Sequence, residues 1–200
     1  MRTGVGLGIA SFACGLALDK EQKTLPESKL FLDAVSLAAI NLLIIGPIIH
    51  HALLPYTVPR SVVRRARDAA MLVVVHSGLY ALAHRAMHRI AAIRPFHRDH
   101  HRFKKVVIPT AANAVSLQEF LFAYMLPFVV GTSILKPDAS SLNAAAAIVS
   151  ACNLIVHSPH LEHLPYPRQL VSPHDHLSHH RSRRPCYSAP TLAWERLLSS

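Results

Sequence analysis

Eight histidines stand in three short clusters, HRAMH (84–88), HRDHH (97–101) and HLSHH (176–180). In each cluster the first and last histidines are four residues apart. On a helix that spacing sets both imidazoles on one face, with Cβ atoms about 5–6 Å apart. Two rings so placed can close on one cation. Three such pairs with extra histidines exceed what one ion can use, which points to two ions. Imidazole suits zinc, iron, copper and nickel, and spacing does not choose among them. The clusters hold no cysteine, which argues against a structural zinc site of the thiolate type.

The elements that position these clusters are apolar. Apolar stretches fall at 4–18, 30–54, 69–83, 117–135 and 142–157. A full membrane crossing needs about 20 apolar residues. Segments 30–54 and 117–135 reach that length; Ala144 to Ala147 support the shorter 142–157. Segment 69–83 is expected to continue as one helix through His84 and His88, just past the membrane edge. Segment 4–18 reads as a first membrane helix, with a signal sequence as the alternative. Pro47 and Pro127 should kink their helices.

Two passes joined by a turn at Lys136, Pro137 and Asp138 separate the first two clusters from the third. Two crossings return the chain to its starting side, so all three clusters can share one site. Arg85, Arg89, Arg94, Arg98, Arg102, Lys104 and Lys105 mark that side as cytoplasmic. Arg60, Arg64, Arg65 and Arg67 conflict with this if segment 69–83 crosses fully; a re-entrant helix would remove the conflict. The expected fold is all-α: an integral membrane bundle of about four helices, with a histidine-rich helical cap on the cytoplasmic side. Residues 1–68 form N-terminal membrane segments and a linker, and 69–200 the catalytic domain.

Composition agrees. The 200 residues are 51% hydrophobic and only 16% charged, with a net charge of +10. The cations lie beside apolar segments and form no single basic face, so no nucleic-acid partner is expected. Cys14, Cys152 and Cys186 are scattered, and imply no disulfide framework.

The order of histidines resembles the fatty acid hydroxylase and sterol desaturase superfamily. It runs HX3H, HX2HH, a lone histidine after a membrane hairpin, then HX2HH. FHRDHHRFKKVVIPTAANAVSLQE (96–119), SPHDHLSHH (172–180) and CYSAPTLAWERLL (186–198) are similar to the corresponding stretches of that family. The resemblance covers about 69–198. It implies a membrane enzyme, usually of the endoplasmic reticulum. Such enzymes use two iron ions, molecular oxygen and electrons from a reduced carrier to hydroxylate or desaturate a fatty acyl chain or sterol. Zinc could replace iron in recombinant material. Carried over, the ligands are His84, His88, His97, His100, His101, His157, His176, His179 and His180. The electron donor would be a separate protein such as cytochrome b5 or its reductase, since no such domain is fused to this chain.

Cys186 stands where the family often has asparagine, and Leu177 where it often has aspartate. A catalytically silent member of the same fold would be marked by such departures. A non-catalytic metal carrier would instead line its membrane segments with polar groups. Apart from His76 and Asn41 these are apolar, which favours the enzyme, with hydroxylation preferred. Asp99, Asp175, Glu119 and His160 are candidates to hold the ligand rings from behind. His50 and His51 read as interfacial, and Trp194 and Tyr187 as packing residues.

Overall fold

Apolar stretches of this length become helices because a backbone in hydrocarbon must satisfy its N–H and C=O groups within itself. The computed structural model describes residues 2–182 and 186–199, and is all-helical, with no strand among them. Helix α1 spans Arg2–Lys20. Helices α2 (Ser28–Tyr56), α3 (Val62–Arg89), α4 (Leu117–Leu135) and α5 (Ala139–Val156) are each long and apolar enough to cross a membrane. Short turns carry 94–113, followed after α5 by the cap helix α6 (Pro173–Ser182) and the one-turn α7 (Trp194–Leu197).

At 28 residues α3 is about 42 Å long, longer than the roughly 30 Å hydrocarbon core. It begins well before the apolar stretch and carries His84 and His88 in its last two turns. No re-entrant segment is needed. The arginines that open α3 lie at the end of the bundle away from the histidines, and acids there answer them. Arg60 and Arg67 approach Asp68 at 3.5 and 3.0 Å, and Arg65 approaches Asp138 at 3.4 Å. Asp138 also caps α5, accepting from Ser140 N at 2.8 Å. Lys136 closes the hairpin turn in a left-handed conformation, φ 44°.

Both internal prolines act through a wider turn rather than a simple kink. A π-helical turn, Ile40–Ile45, precedes Pro47, and another, Phe120–Met125, precedes Pro127. Proline donates no N–H and crowds the carbonyl four residues back. Widening the helix just ahead of it re-pairs the freed groups: Gly46 N–H reaches Asn41 O, and Leu126 N–H reaches Leu121 O. In the first of these turns Asn41 Nδ2 donates to the carbonyls of Asn113 and Val115, both at 3.0 Å. This ties α2 to the segment that leads into α4.

Helix α1 packs against α2 and α5 on a face of small residues, Gly4, Gly8, Ser11 and Gly15. Ser11 Oγ meets Ser150 Oγ at 2.5 Å, and Asp19 accepts from Thr110 N at 3.0 Å. A Cβ on Gly8 would overlap the carbonyl oxygen of Leu42, whereas one on Gly6 would meet nothing. Backbone cannot yield as a side chain can. Gly8→Ala should therefore cost about 1–3 kcal/mol of stability, read as a lower thermal midpoint in detergent, with Gly6→Ala unchanged. Equal midpoints for the two variants would refute this contact.

Candidate metal centre

The histidine clusters reach one place because α3, the turns at 94–102, the end of α5 and α6 converge at one end of the bundle. Nine imidazoles meet there in two groups. His84, His88, His97, His101 and His179 form one; His100, His157, His176 and His180 form the other. In each group the potential ligand atoms lie within 4.8 Å of one another. All are buried except His88, which is half-buried.

The groups cut across the sequence clusters in a regular way. Each pair four residues apart stays together: 84 with 88, 97 with 101, 176 with 180. The odd histidine of each longer cluster crosses over, His100 to the second group and His179 to the first. On α6 the cause is helical geometry, since a step of three residues and a step of four point to opposite sides of one line. The second cluster is not on an α-helix. It lies on two tight turns, Arg94–His97 and His100–Arg102, which open at the intervening residues.

The spacing fits bound cations. Nε2 atoms are separated by 2.9 Å (His84–His97), 3.2 Å (His84–His88) and 3.2 Å (His88–His101 and His101–His179). In the other group they are 2.9 Å (His157–His176), 3.3 Å (His100–His157) and 3.2 Å (His176–His180) apart. Nitrogens about 2.0–2.1 Å from a shared ion, and 90–109° apart, would lie roughly 2.9–3.4 Å from each other.

Tautomers argue against a direct hydrogen bond between His84 and His97. His84 Nδ1 donates to the carbonyl of Tyr187 at 3.1 Å, and His157 Nδ1 to that of Asn153 at 2.8 Å. A carbonyl only accepts, so the proton is on Nδ1 and Nε2 is a bare lone pair. His97 Nδ1 likewise faces Glu119 Oε1 at 2.7 Å. The 2.9 Å approach of His84 to His97 therefore sets lone pair against lone pair, which is repulsive unless a cation lies between. Glu119 is fully buried and its Oε2 has no hydrogen-bond partner. A carboxylate so placed needs nearby positive charge, which metal on His97 would provide.

Burial, and then repulsion from neighbouring rings, holds His97, His100, His176 and His180 far below the ordinary imidazole range. Burial pushes His157 down from 6.5 to about 4, opposed in part by its bond to Asn153. Neutral rings are what a metal requires. The unfolded chain would bind protons near pH 6.5 that the folded chain refuses, His157 until about pH 4. The metal-depleted fold should thus keep its full stability above 6.5 and lose it as pH falls toward 4. A thermal midpoint that stays flat over that window after chelation would contradict this.

Of the four residues proposed to support the rings, only Glu119 does so. Asp99 is half-buried and makes no side-chain hydrogen bond among the described residues. Asp175 instead closes a capping box at the start of α6: its N–H donates to Ser172 Oγ at 3.1 Å, its carboxylate accepts from Ser172 N at 3.4 Å, and it pairs with Arg196 at 3.0 Å. His160 is exposed and meets Gln22 Nε2 at 3.0 Å. His50 is buried against Asn143 at 2.7 Å rather than interfacial.

The C-terminal segment, read from the sequence as packing residues, turns out to brace the site. Trp194 Nε1 donates to Ser77 Oγ on α3 at 3.0 Å. Glu195 accepts from Tyr187 N at 2.6 Å and from the Ser188 hydroxyl. That fixes the Tyr187 carbonyl under His84. Leu177, where an aspartate was noted as common, is fully buried, and Cys186 packs on the core beside α3.

Two voids flank the centre. One, of about 110 Å³, is apolar and lies between α1, α2, α4 and α5, with Tyr124 in its wall. Tyr80 stands edge-on between Tyr124 (5.2 Å) and His84 (5.5 Å). The other is a cleft of about 1130 Å³ whose wall includes His88, His97, His101 and Tyr187.

A protein-family model described as "Fatty acid hydroxylase" matches residues 69–200. No curated protein and no solved structure matches the chain.

Proposed function

The chain belongs to the fatty acid hydroxylase family, and on that premise we propose that it is a lipid hydroxylase with two iron ions, one in each histidine group. Family membership implies an oxidoreductase that acts on lipid. The finer reading rests on one observation: nine buried or half-buried imidazoles sorted into two touching groups, with lone pairs converging. The rings of the two groups approach within 5.0 Å, centroid to centroid, at His101 and His180.

When bound, the iron pair supplies the power to reduce dioxygen and break an unactivated C–H bond. Balance requires two electrons and two protons per turnover, one oxygen atom entering the product and the other leaving as water. The electrons come from a separate reduced carrier such as cytochrome b5 or its reductase. The protein's own part is to hold the rings. Tyr187 O, Asn153 O and Glu119 fix three of them with Nε2 inward, so the ligand geometry is set before the metal arrives. Burial keeps the rings neutral and water away. Placement of the chain against the oxidant decides between an alcohol and an alkene, and hydroxylation is the preferred outcome. The membrane is that of the endoplasmic reticulum, with the histidine end facing the cytoplasm.

A metal carrier is disfavoured by the polar residues inside the bundle. His76 bonds the carbonyl of Tyr124 at 3.2 Å, and Asn41 is committed to backbone carbonyls. The test is lipid profiling of cells with the protein, without it, and with His100→Ala. A lipid one oxygen heavier should appear with the wild type alone. Identical profiles in all three would reject the proposal, and a lipid two hydrogens lighter would assign desaturation instead.

A further inference from the structure

The cleft over the five-histidine group is strongly cationic. Lys29, Arg89, Arg94, Arg98, Arg102 and Lys104 line it, against one carboxylate, Glu27. Arg102 pairs with Asp33 at 2.7 Å. Arg94 and Arg98 make no ion pair among the described residues, and both are exposed. Like charges gathered around a concave surface focus the field and draw in counter-ions. Arginine forks match phosphate and carboxylate oxygens, and such charge-assisted bonds are among the strong ones.

The cleft's shape narrows the occupant. It is concave, and its volume of about 1130 Å³ is slightly above the roughly 300–1,000 Å³ typical of small-molecule sites. A protein docking from outside would meet its rim, while its wall reaches His88, His97 and His101 directly. Leu30 and Tyr187 add apolar surface beside the cations. The Tyr187 ring lies 5.3 Å from that of His88 and 5.7 Å from that of His84.

We infer that this cleft seats the head of the lipid substrate, and that the head is an anion: a phosphate or carboxylate on a long alkyl chain. This deepens the reading of the centre as a lipid oxidase and rests on it. The head sits among Arg94, Arg98 and Arg102, and the chain runs past Tyr187 toward His88 and His97. A neutral alcohol or sterol finds nothing there to answer the cations.

The test is equilibrium binding of radiolabelled dodecyl phosphate, dodecanoate and dodecanol to the full-length protein in discs of neutral phosphatidylcholine, corrected for empty discs. Both anions should bind at least about tenfold more tightly than dodecanol, a factor one charge-assisted contact can supply. The double variant Arg94→Gln/Arg98→Gln should lose most of that preference with dodecanol binding unchanged. Arg64→Gln, at the far end of the bundle, should retain it. No preference for the anions overturns the inference, as does equal loss in the Arg64 variant, which would reveal only a charged membrane rim. Inorganic phosphate competing as well as dodecyl phosphate would reveal a free-anion site and also overturn it. Should the double variant not fold, Arg98→Gln alone should lose part of the preference, and its keeping all of it counts against the inference. Because binding needs no turnover, anion-selective binding without lipid oxidation would reject the proposed function alone. A hydroxylated product without anion selectivity would reject this inference alone.

Discussion

Alanine at His176 should remove the ion of the four-histidine group and end turnover, and alanine at His179 should do the same through the five-histidine group. Neither ring is exposed, and each sits among nitrogens of its own group. Losing a partner that merely orients a ligand typically costs 10–100-fold in affinity or activity, so losing a ligand should cost more than about 100-fold. The two variants differ in which ion they lose. His176→Ala leaves His84, His88, His97, His101 and His179 intact, so one metal per chain should remain. His179→Ala leaves His100, His157, His176 and His180 intact, so the ion of the four-histidine group should remain instead. Metal per chain by elemental analysis, beside product formation in membranes, reads both. Two ions retained in His176→Ala would break the link between that group and a cation.

Glu119→Gln should lower metal affinity or activity by about 10–100-fold with the fold intact. The glutamine is nearly isosteric and its carbonyl can still accept from His97 Nδ1, so packing survives. What disappears is the negative charge behind the ring, which makes its Nε2 a better donor to a metal and offsets the charge of the centre. Glu119 is held for this task by its own N–H, which donates to Ser116 Oγ at 3.1 Å, and by Ser116 Oγ, which donates to Phe96 O at 2.8 Å. Titration of metal into depleted protein, variant against wild type, gives the result directly. Unchanged affinity would make Glu119 a passive neighbour of His97.

Much of this architecture is legible in the residues because the physics behind it is local. Apolar runs at 30–54 and 117–135 had to become helices, and the hairpin at Lys136 brings the third cluster back to the first two. The i, i+4 spacing of 84 with 88 and 176 with 180 carries their pairing on a helix. Other features leave no such trace. The two π-helical turns depend on how Asn41 and Phe120 pack, and the prolines announce only that something must yield. The acceptors behind His84 and His157 are backbone carbonyls, which any residue type would provide. Asp175 looked like support for its neighbour His176 but closes the capping box with Ser172, because a carboxylate in a first turn reaches back to a free N–H group. Trp194 and Tyr187 read as packing residues, whereas Trp194 reaches Ser77, 117 residues back, and the Tyr187 carbonyl, held by Glu195, meets His84, 103 residues back.

Two groups of imidazoles should hold two cations side by side. Protein purified from iron-replete cells, analysed for metal content and by X-ray absorption at the iron edge, tests this most directly. Two ions per chain in a shell of histidine nitrogen at about 2.0–2.2 Å is the expected result. One ion per chain, or none retained by folded wild-type protein, would contradict it.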